Sequence, residues 1–175
     1  HRPQGWQAAR WRPRMRFWQT GTEANTMSNT ASVHLHRVFS APPGRVYRAF
    51  LSPDAWAKWL PPHGFTGQVQ EMVAEVGGRY HMRFTNLTTG HSHGFGGEYL
   101  ELVPDQRLRY TARFDDPSLP GQMQTTVTLA KVSVGTDVRI VQEGIPSMIP
   151  VEACYLGWQQ SLQLLALLVE PEIRE

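Results

Sequence analysis

Three kinds of side chain in this sequence could do chemistry: paired imidazoles, strand carboxylates and a lone thiol. His91 and His93 are two residues apart, with His81 upstream. On a strand that spacing puts both rings on one side, and two imidazoles make half a zinc site. Yet no cysteine is near, no HExxH helix occurs, Thr88 to Gly94 reads as a turn, and His81 falls on a polar outer face. Surface histidines are expected, with no metal and no cofactor. Glu98, Glu101 and Glu143 fall on strand patterns. A carboxylate buried in an apolar cavity has a raised pKa and can serve as acid or base, so Glu98 and Glu143 are the candidate catalytic residues. The plainer expectation pairs strand glutamates with Arg83, Arg109, Arg113 or Arg139 across a wet face. Cys154, the single cysteine, lies on an apolar helical stripe and is expected to be a buried, inert thiol. No GxSxG turn, P-loop or dinucleotide glycine pattern is present, and Gly94-Phe-Gly-Gly97 sits inside a strand, where glycines let a sheet bend.

The aromatic residues point elsewhere, to a cavity. Strand alternation puts Tyr80, Met82 and Phe84 on one face and Arg79, His81 and Arg83 on the other. Leu108, Tyr110, Ala112 and Phe114 alternate likewise against Arg107, Arg109, Thr111 and Arg113. Gln142 shares the apolar face of Val138 and Ile140, where an amide either satisfies a backbone group or orients a ligand. Trp158, Cys154 and Leu162 face the same interior from a helix, while Trp59 and Phe65 are expected at the mouth. Tyrosine and tryptophan combine apolar area with one polar tip, which suits a flat, partly polar small molecule. A solid core would use many of the same residues.

These residues must be positioned by a sheet and a helix. The stretch from Val151 to Val169 follows Pro146 and Pro150, stops before Pro171, and repeats apolar residues at steps of three and four. A helix of roughly 20 residues is about 30 Å long, enough to cross a small sheet. Before it come a strand from Val33 to Phe39, a short helix at about Arg45 to Leu51, and a second helix capped by Ser52-Pro53-Asp54 and ended by Pro61-Pro62. Strands then follow within Gly64 to Val76, at Arg79 to Thr85, Gly94 to Val103, Arg107 to Phe114, Gln124 to Val134 and Thr136 to Ile145. The fold class expected is α+β: a curved antiparallel sheet of six or seven strands gripping a long C-terminal helix, with two short helices after the first strand.

Composition narrows the function classes. The 175 residues are 41% hydrophobic, enough for one domain with a proper core. No apolar run approaches the roughly 20 residues of a membrane span. Residues 1–26 carry five arginines against Glu23, a local +4; the whole chain is +2, which leaves −2 for the remainder. That near-neutral body has no basic stripe for nucleic acid. The first 27 residues hold three of the six tryptophans without a helical or strand period. They read as a leader ahead of a natural start at Met27, or as a basic-aromatic arm for an acidic surface or membrane. No apolar signal-peptide core precedes the domain expected at 28–175, so the cytoplasm is the expected compartment. Nothing in the sequence specifies an oligomeric state.

Particular stretches resemble a known superfamily. They are Val38-Phe39-Ser40-Ala41-Pro42, the Trp56 to Trp59 segment with its proline pair, and Gly77-Gly78-Arg79-Tyr80. Gly97-Glu98-Tyr99-Leu100-Glu101-Leu102-Val103-Pro104, Arg107-Leu108-Arg109-Tyr110-Thr111, Gln142-Glu143-Gly144-Ile145-Pro146 and Gly157-Trp158 with Ser161-Leu162 and Leu165 complete the set. In order and spacing, over about residues 32 to 170, they resemble the START-like (SRPBCC) superfamily with its helix-grip fold. Within it the chain is similar to the homologues of the activator of heat-shock protein 90 ATPase, a branch with polyketide-cyclase-like members. The resemblance implies a cavity between sheet and helix, and it leaves the activity open, because one fold hosts many functions. Three readings follow: a binder of a small apolar or aromatic ligand, a cyclase- or hydrolase-type enzyme using a pocket carboxylate, and a module that engages a protein partner. The ligand set expected for the first is Trp59, Phe65, Tyr80, Met82, Phe84, Tyr110, Phe114, Gln142, Cys154, Trp158 and Leu162.

Overall fold

A computed structural model describes residues 30–175 of the chain. The expectations for residues 1–27, and the first two residues of the expected domain, lie outside the described residues. Seven strands form one antiparallel sheet: β1 (Ala31–Phe39), β2 (Phe65–Met72), β3 (Arg79–Asn86), β4 (Ser92–Val103), β5 (Arg107–Phe114), β6 (Met123–Val132) and β7 (Gly135–Ile145). Their order across the sheet is β1-β7-β6-β5-β4-β3-β2, so only β1 returns to pair out of sequence. Helices α1 (Pro43–Leu51) and α2 (Pro53–Trp59) follow β1, and α3 (Val151–Val169) ends the fold.

Local chemistry accounts for the helix boundaries. Pro43 and Pro53 each start a helix where a missing N–H costs nothing, and the Ser52 hydroxyl accepts from the Ala55 N–H at 3.4 Å. The first helix thus starts at Pro43 rather than near Arg45. The sheet would leave β1 and β2 as bare edges, and the helices cover them: α2 packs on β2, α3 on β1, and α2 on α3. Tyr155 makes part of that cover directly, its hydroxyl accepting from the β1 edge N–H of His34 at 3.2 Å. Ser161 donates to the Leu60 carbonyl at 2.6 Å, and Arg45 caps the Val169 carbonyl at 3.0 Å. The buried side of α3 is Trp158, Ser161, Leu162, Leu165, Ala166 and Val169, again at steps of three and four.

The sheet curves where its ladder is irregular. Register shifts fall between Val69 and Glu71 and between Tyr99 and Glu101, each inserting one residue that increases local twist. Between β4 and β5 the substitute bonds are visible: the Glu98 N–H donates to Thr111 Oγ1 at 3.0 Å, and the Tyr80 hydroxyl donates to the Thr111 carbonyl at 2.5 Å. Gly97 permits that approach, since a Cβ there would stand 2.0 Å from the Thr111 carbonyl oxygen. Strand β4 starts at Ser92, earlier than the turn expected through Gly94. The reason is that Thr85 pairs with Ser92 and Phe84 with His93, the Thr85 and Ser92 hydroxyls lying 2.7 Å apart.

Candidate functional site

Between the inner face of the sheet and the α2–α3 layer lies a cavity of about 270 Å³. This falls just below the roughly 300–1,000 Å³ of small-molecule sites, which suits a small occupant. Strand alternation builds one wall. β3 contributes Tyr80 and Phe84, β4 His93 and Phe95, β5 Tyr110, Ala112 and Phe114, β6 Met123 and Thr125, and β7 Gln142. β2 adds Phe65 at its start, and the helical layer supplies Trp56, Leu60, Pro62 and Ile149 with Ala153, Cys154, Gly157, Trp158 and Ser161 from α3.

The aromatic groups fall into two sets. In the deeper set Trp56 stands edge-on to Tyr80 at 4.9 Å and to Tyr110 at 5.7 Å, ring centre to ring centre. Nearer the surface, Phe84 meets Phe95 at 5.0 Å and His93 at 5.6 Å, with Phe65 and Phe114 alongside. Edge-to-face contact is the arrangement that the ring quadrupoles favour, so the rings brace one another where they border the cavity. Gln142 is held by α3, the Trp158 indole N–H donating to its Oε1 at 3.0 Å. The partner of this inward amide is therefore a side chain, where a backbone group or a ligand was expected.

The walls hold no Asp, Glu, Lys or Arg among the described residues. The ionisable groups that do line the cavity are shifted toward their neutral forms. Burial raises the tyrosine pKa of Tyr80 well above 10.0 and, with the neighbouring Tyr99, that of Tyr110. Burial likewise raises the Cys154 thiol and lowers His93.

Eight of the eleven expected ligand residues therefore border one space: Phe65, Tyr80, Phe84, Tyr110, Phe114, Gln142, Cys154 and Trp158. Three stand apart from it. Trp59, expected at the mouth, is fully buried between the short helices, its indole N–H donating to the Ala49 carbonyl at 2.8 Å and its ring 4.8 Å from Phe50. One helical turn earlier, Trp56 takes the cavity position instead. Met82 and Leu162 are packed into the core. The candidate carboxylates are not brought to the cavity either: Glu98 and Glu143 project from exposed outer positions, and it is Glu101 that pairs with Arg109 at 2.5 Å. His81 also faces outward, its ring held between Gln70 and Asp115. Among the described residues no three His, Cys, Asp or Glu side chains converge as they would on a metal ion.

Sequence reasoning missed Trp56, His93, Phe95 and Thr125. The strand alternation that placed Phe84 would have placed Phe95 opposite Phe114, had β4 been begun two residues earlier and its parity followed. Thr125 shares a parity with Val127 and Leu129 and was legible in the same way.

Residues 40–170 match the family described as activator of Hsp90 ATPase homolog 1-like protein. The chain belongs to that family. A crystal structure of a Chromobacterium violaceum protein is 64% identical to it, with a TM-score of 0.80 over 81% of this chain and 98% of that one. The AHSA1 protein of Silicibacter pomeroyi is 17% identical with a TM-score of 0.69, covering 78% of this chain and 96% of that one. A Rhodobacter sphaeroides protein is 21% identical with a TM-score of 0.68, covering 78% and 90%. The last two speak for the fold alone. No curated protein matches the chain. Membership of the family fits the helix-grip architecture described above. No helix among the described residues is long and apolar enough to cross a membrane.

Proposed function

We propose that this protein binds one small, mainly apolar or aromatic molecule in the cavity between sheet and α3. The observation that carries this reading is an unfilled space of about 270 Å³ whose walls are aromatic and aliphatic and reach the surface at His93 and Ala153. A core meant only for packing closes such space, because each void forfeits dispersion contacts and destabilises the fold. Helix α3 instead presents Gly157 at the middle of its cavity-facing arc, with open space where a side chain would be. The lack of a wall carboxylate among the described residues favours binding over acid–base turnover through Glu98 or Glu143. We take the cytoplasm as the compartment, in keeping with a lone unpaired thiol.

Native mass spectrometry of the purified protein, compared with the same sample denatured, tests the reading. An extra mass that is lost on denaturation identifies the occupant. If no adduct is seen and a panel of small aromatic compounds gives no thermal shift, the cavity-binding reading is wrong.

A further inference from the structure

Gln142 stands on the inner face of β7 with part of its amide open to the cavity. An indole N–H can only donate, so the bond from Trp158 fixes the amide's orientation, with Oε1 toward the helix. What remains for the cavity is Nε2 and its N–H donors, from which no described group accepts. On the adjoining strand Thr125 pairs directly with Gln142 in the β6–β7 register. It is 1% exposed, and its hydroxyl lies beside that of Tyr110 without a well-formed hydrogen bond. A mainly apolar wall thus carries one oriented amide donor group beside the adjacent hydroxyls of Thr125 and Tyr110.

We infer that the cavity selects an uncharged, flat carbonyl compound, such as a ketone, ester, lactone or quinone, whose oxygen accepts from Gln142 Nε2. Its hydrocarbon remainder lies among Phe65, Phe84, Phe95 and Phe114. This rests on the cavity-binding reading and gives it a ligand class. A donor calls for an acceptor, which excludes a plain hydrocarbon as the best ligand and an ammonium altogether. A carboxylate also has acceptor oxygens, but no cation lines the wall to offset the cost of desolvating its charge. The aromatic side chains that line the space favour a planar, unsaturated skeleton, which they can meet edge-on or offset-stacked.

Three probes of one skeleton separate these terms: indane, 1-indanone and indane-1-carboxylate, titrated calorimetrically into the full chain. The wild-type protein is expected to prefer 1-indanone over indane by about tenfold, the worth of one ordinary hydrogen bond, and to bind the carboxylate most weakly. In the double variant Gln142→Leu with Trp158→Phe, which leaves no freed indole N–H to stand in for the amide, the ketone preference falls to about onefold while indane is retained, a ratio that a purely structural role for Gln142 would leave unmoved. Gln142→Glu keeps an oxygen for Trp158 and, once ionised, offers no donor, so in alkaline buffer it should lose the ketone preference as well, while its protonated form would keep an O–H donor. Equal wild-type affinity for indane and 1-indanone overturns the inference and leaves the binding reading standing. Tightest binding of the carboxylate overturns the neutral class. Binding of none of the three overturns the inference and the reading beneath it together.

Discussion

The Trp158 indole N–H donates to Gln142 Oε1 at 3.0 Å, a bond that joins the middle of α3 to β7 at the cavity wall. Gln142→Leu removes the acceptor and leaves a mostly buried donor unpaired, which costs about 1–3 kcal/mol. Removing both partners costs less than the separate losses, because neither group is then orphaned. Urea unfolding of Gln142→Leu, Trp158→Phe and the double variant is expected to show that positive coupling. Strict additivity would mean the bond contributes nothing.

Trp59 holds the fold and takes no part in the cavity. It is fully buried, edge-on to Phe50 and bonded to the Ala49 carbonyl. Trp59→Ala is expected to lose about 3–5 kcal/mol of stability through cavity formation and an orphaned carbonyl. Trp59→Phe keeps most of the volume and should lose less, with affinity for any cavity ligand unchanged. A ligand-affinity loss in Trp59→Phe equal to that of Trp158→Phe would contradict this division of roles.

Much of the architecture was readable because it depends on periodicity. Val151 to Val169 declared its length through apolar steps of three and four between prolines, and it is α3 to the residue. The alternation through Arg79 to Thr85 put Tyr80 and Phe84 inward and His81 outward, as found. What failed was the part set by three-dimensional context. Which of Trp56 and Trp59 reaches the cavity depends on the angle of a seven-residue helix against α1, which no local pattern encodes. The start of β4 was hidden because the turn-forming residues from Asn86 to Gly90 run straight into Ser92 and His93, whose partners lie on β3. Glu98 and Glu143 were ambiguous for a related reason. Parity gives a residue's side of a strand, while the residue inserted at Leu100 in β4 and the irregular β7 pairing between Gln142 and Ile145 change it midway.

Tyr80, Tyr99 and Tyr110 together make the protein sensitive to alkali. Burial raises all three pKa values above the ordinary 10.0, so the folded state keeps protons that the unfolded chain releases. The unfolded state therefore binds fewer protons, and stability falls as pH rises through about 10, by up to about 1.4 kcal/mol per pH unit for each group. Tyr99 isolates one of them, since its buried hydroxyl has no hydrogen-bond partner. Tyr99→Phe is expected to be neutral or stabilising at pH about 7 and to reduce the alkaline slope by about one proton. Urea midpoints measured from neutral pH to about 10.5 check both, and an unchanged slope would show that Tyr99 does not hold its proton in the folded state.

Gly157 offers the sharpest separation of stability from binding. It lies on α3 between Cys154 and Ser161, inside the arc that lines the cavity, and a Cβ built there meets nothing within 4 Å. A helix-interior glycine forgoes about 1 kcal/mol relative to alanine, a cost with no local backbone reason here because no positive φ is involved. Gly157→Ala should therefore raise the unfolding free energy by up to about 1 kcal/mol and leave ligand binding nearly intact. Gly157→Leu should keep that gain and add buried apolar contact, while its side chain occupies the space a ligand needs. The expected result is a protein with a higher Tm that carries no adduct in native mass spectrometry. Stabilisation without loss of the adduct would place the ligand away from α3. Loss of stability would mean that the space beside Gly157 is smaller than the open geometry indicates.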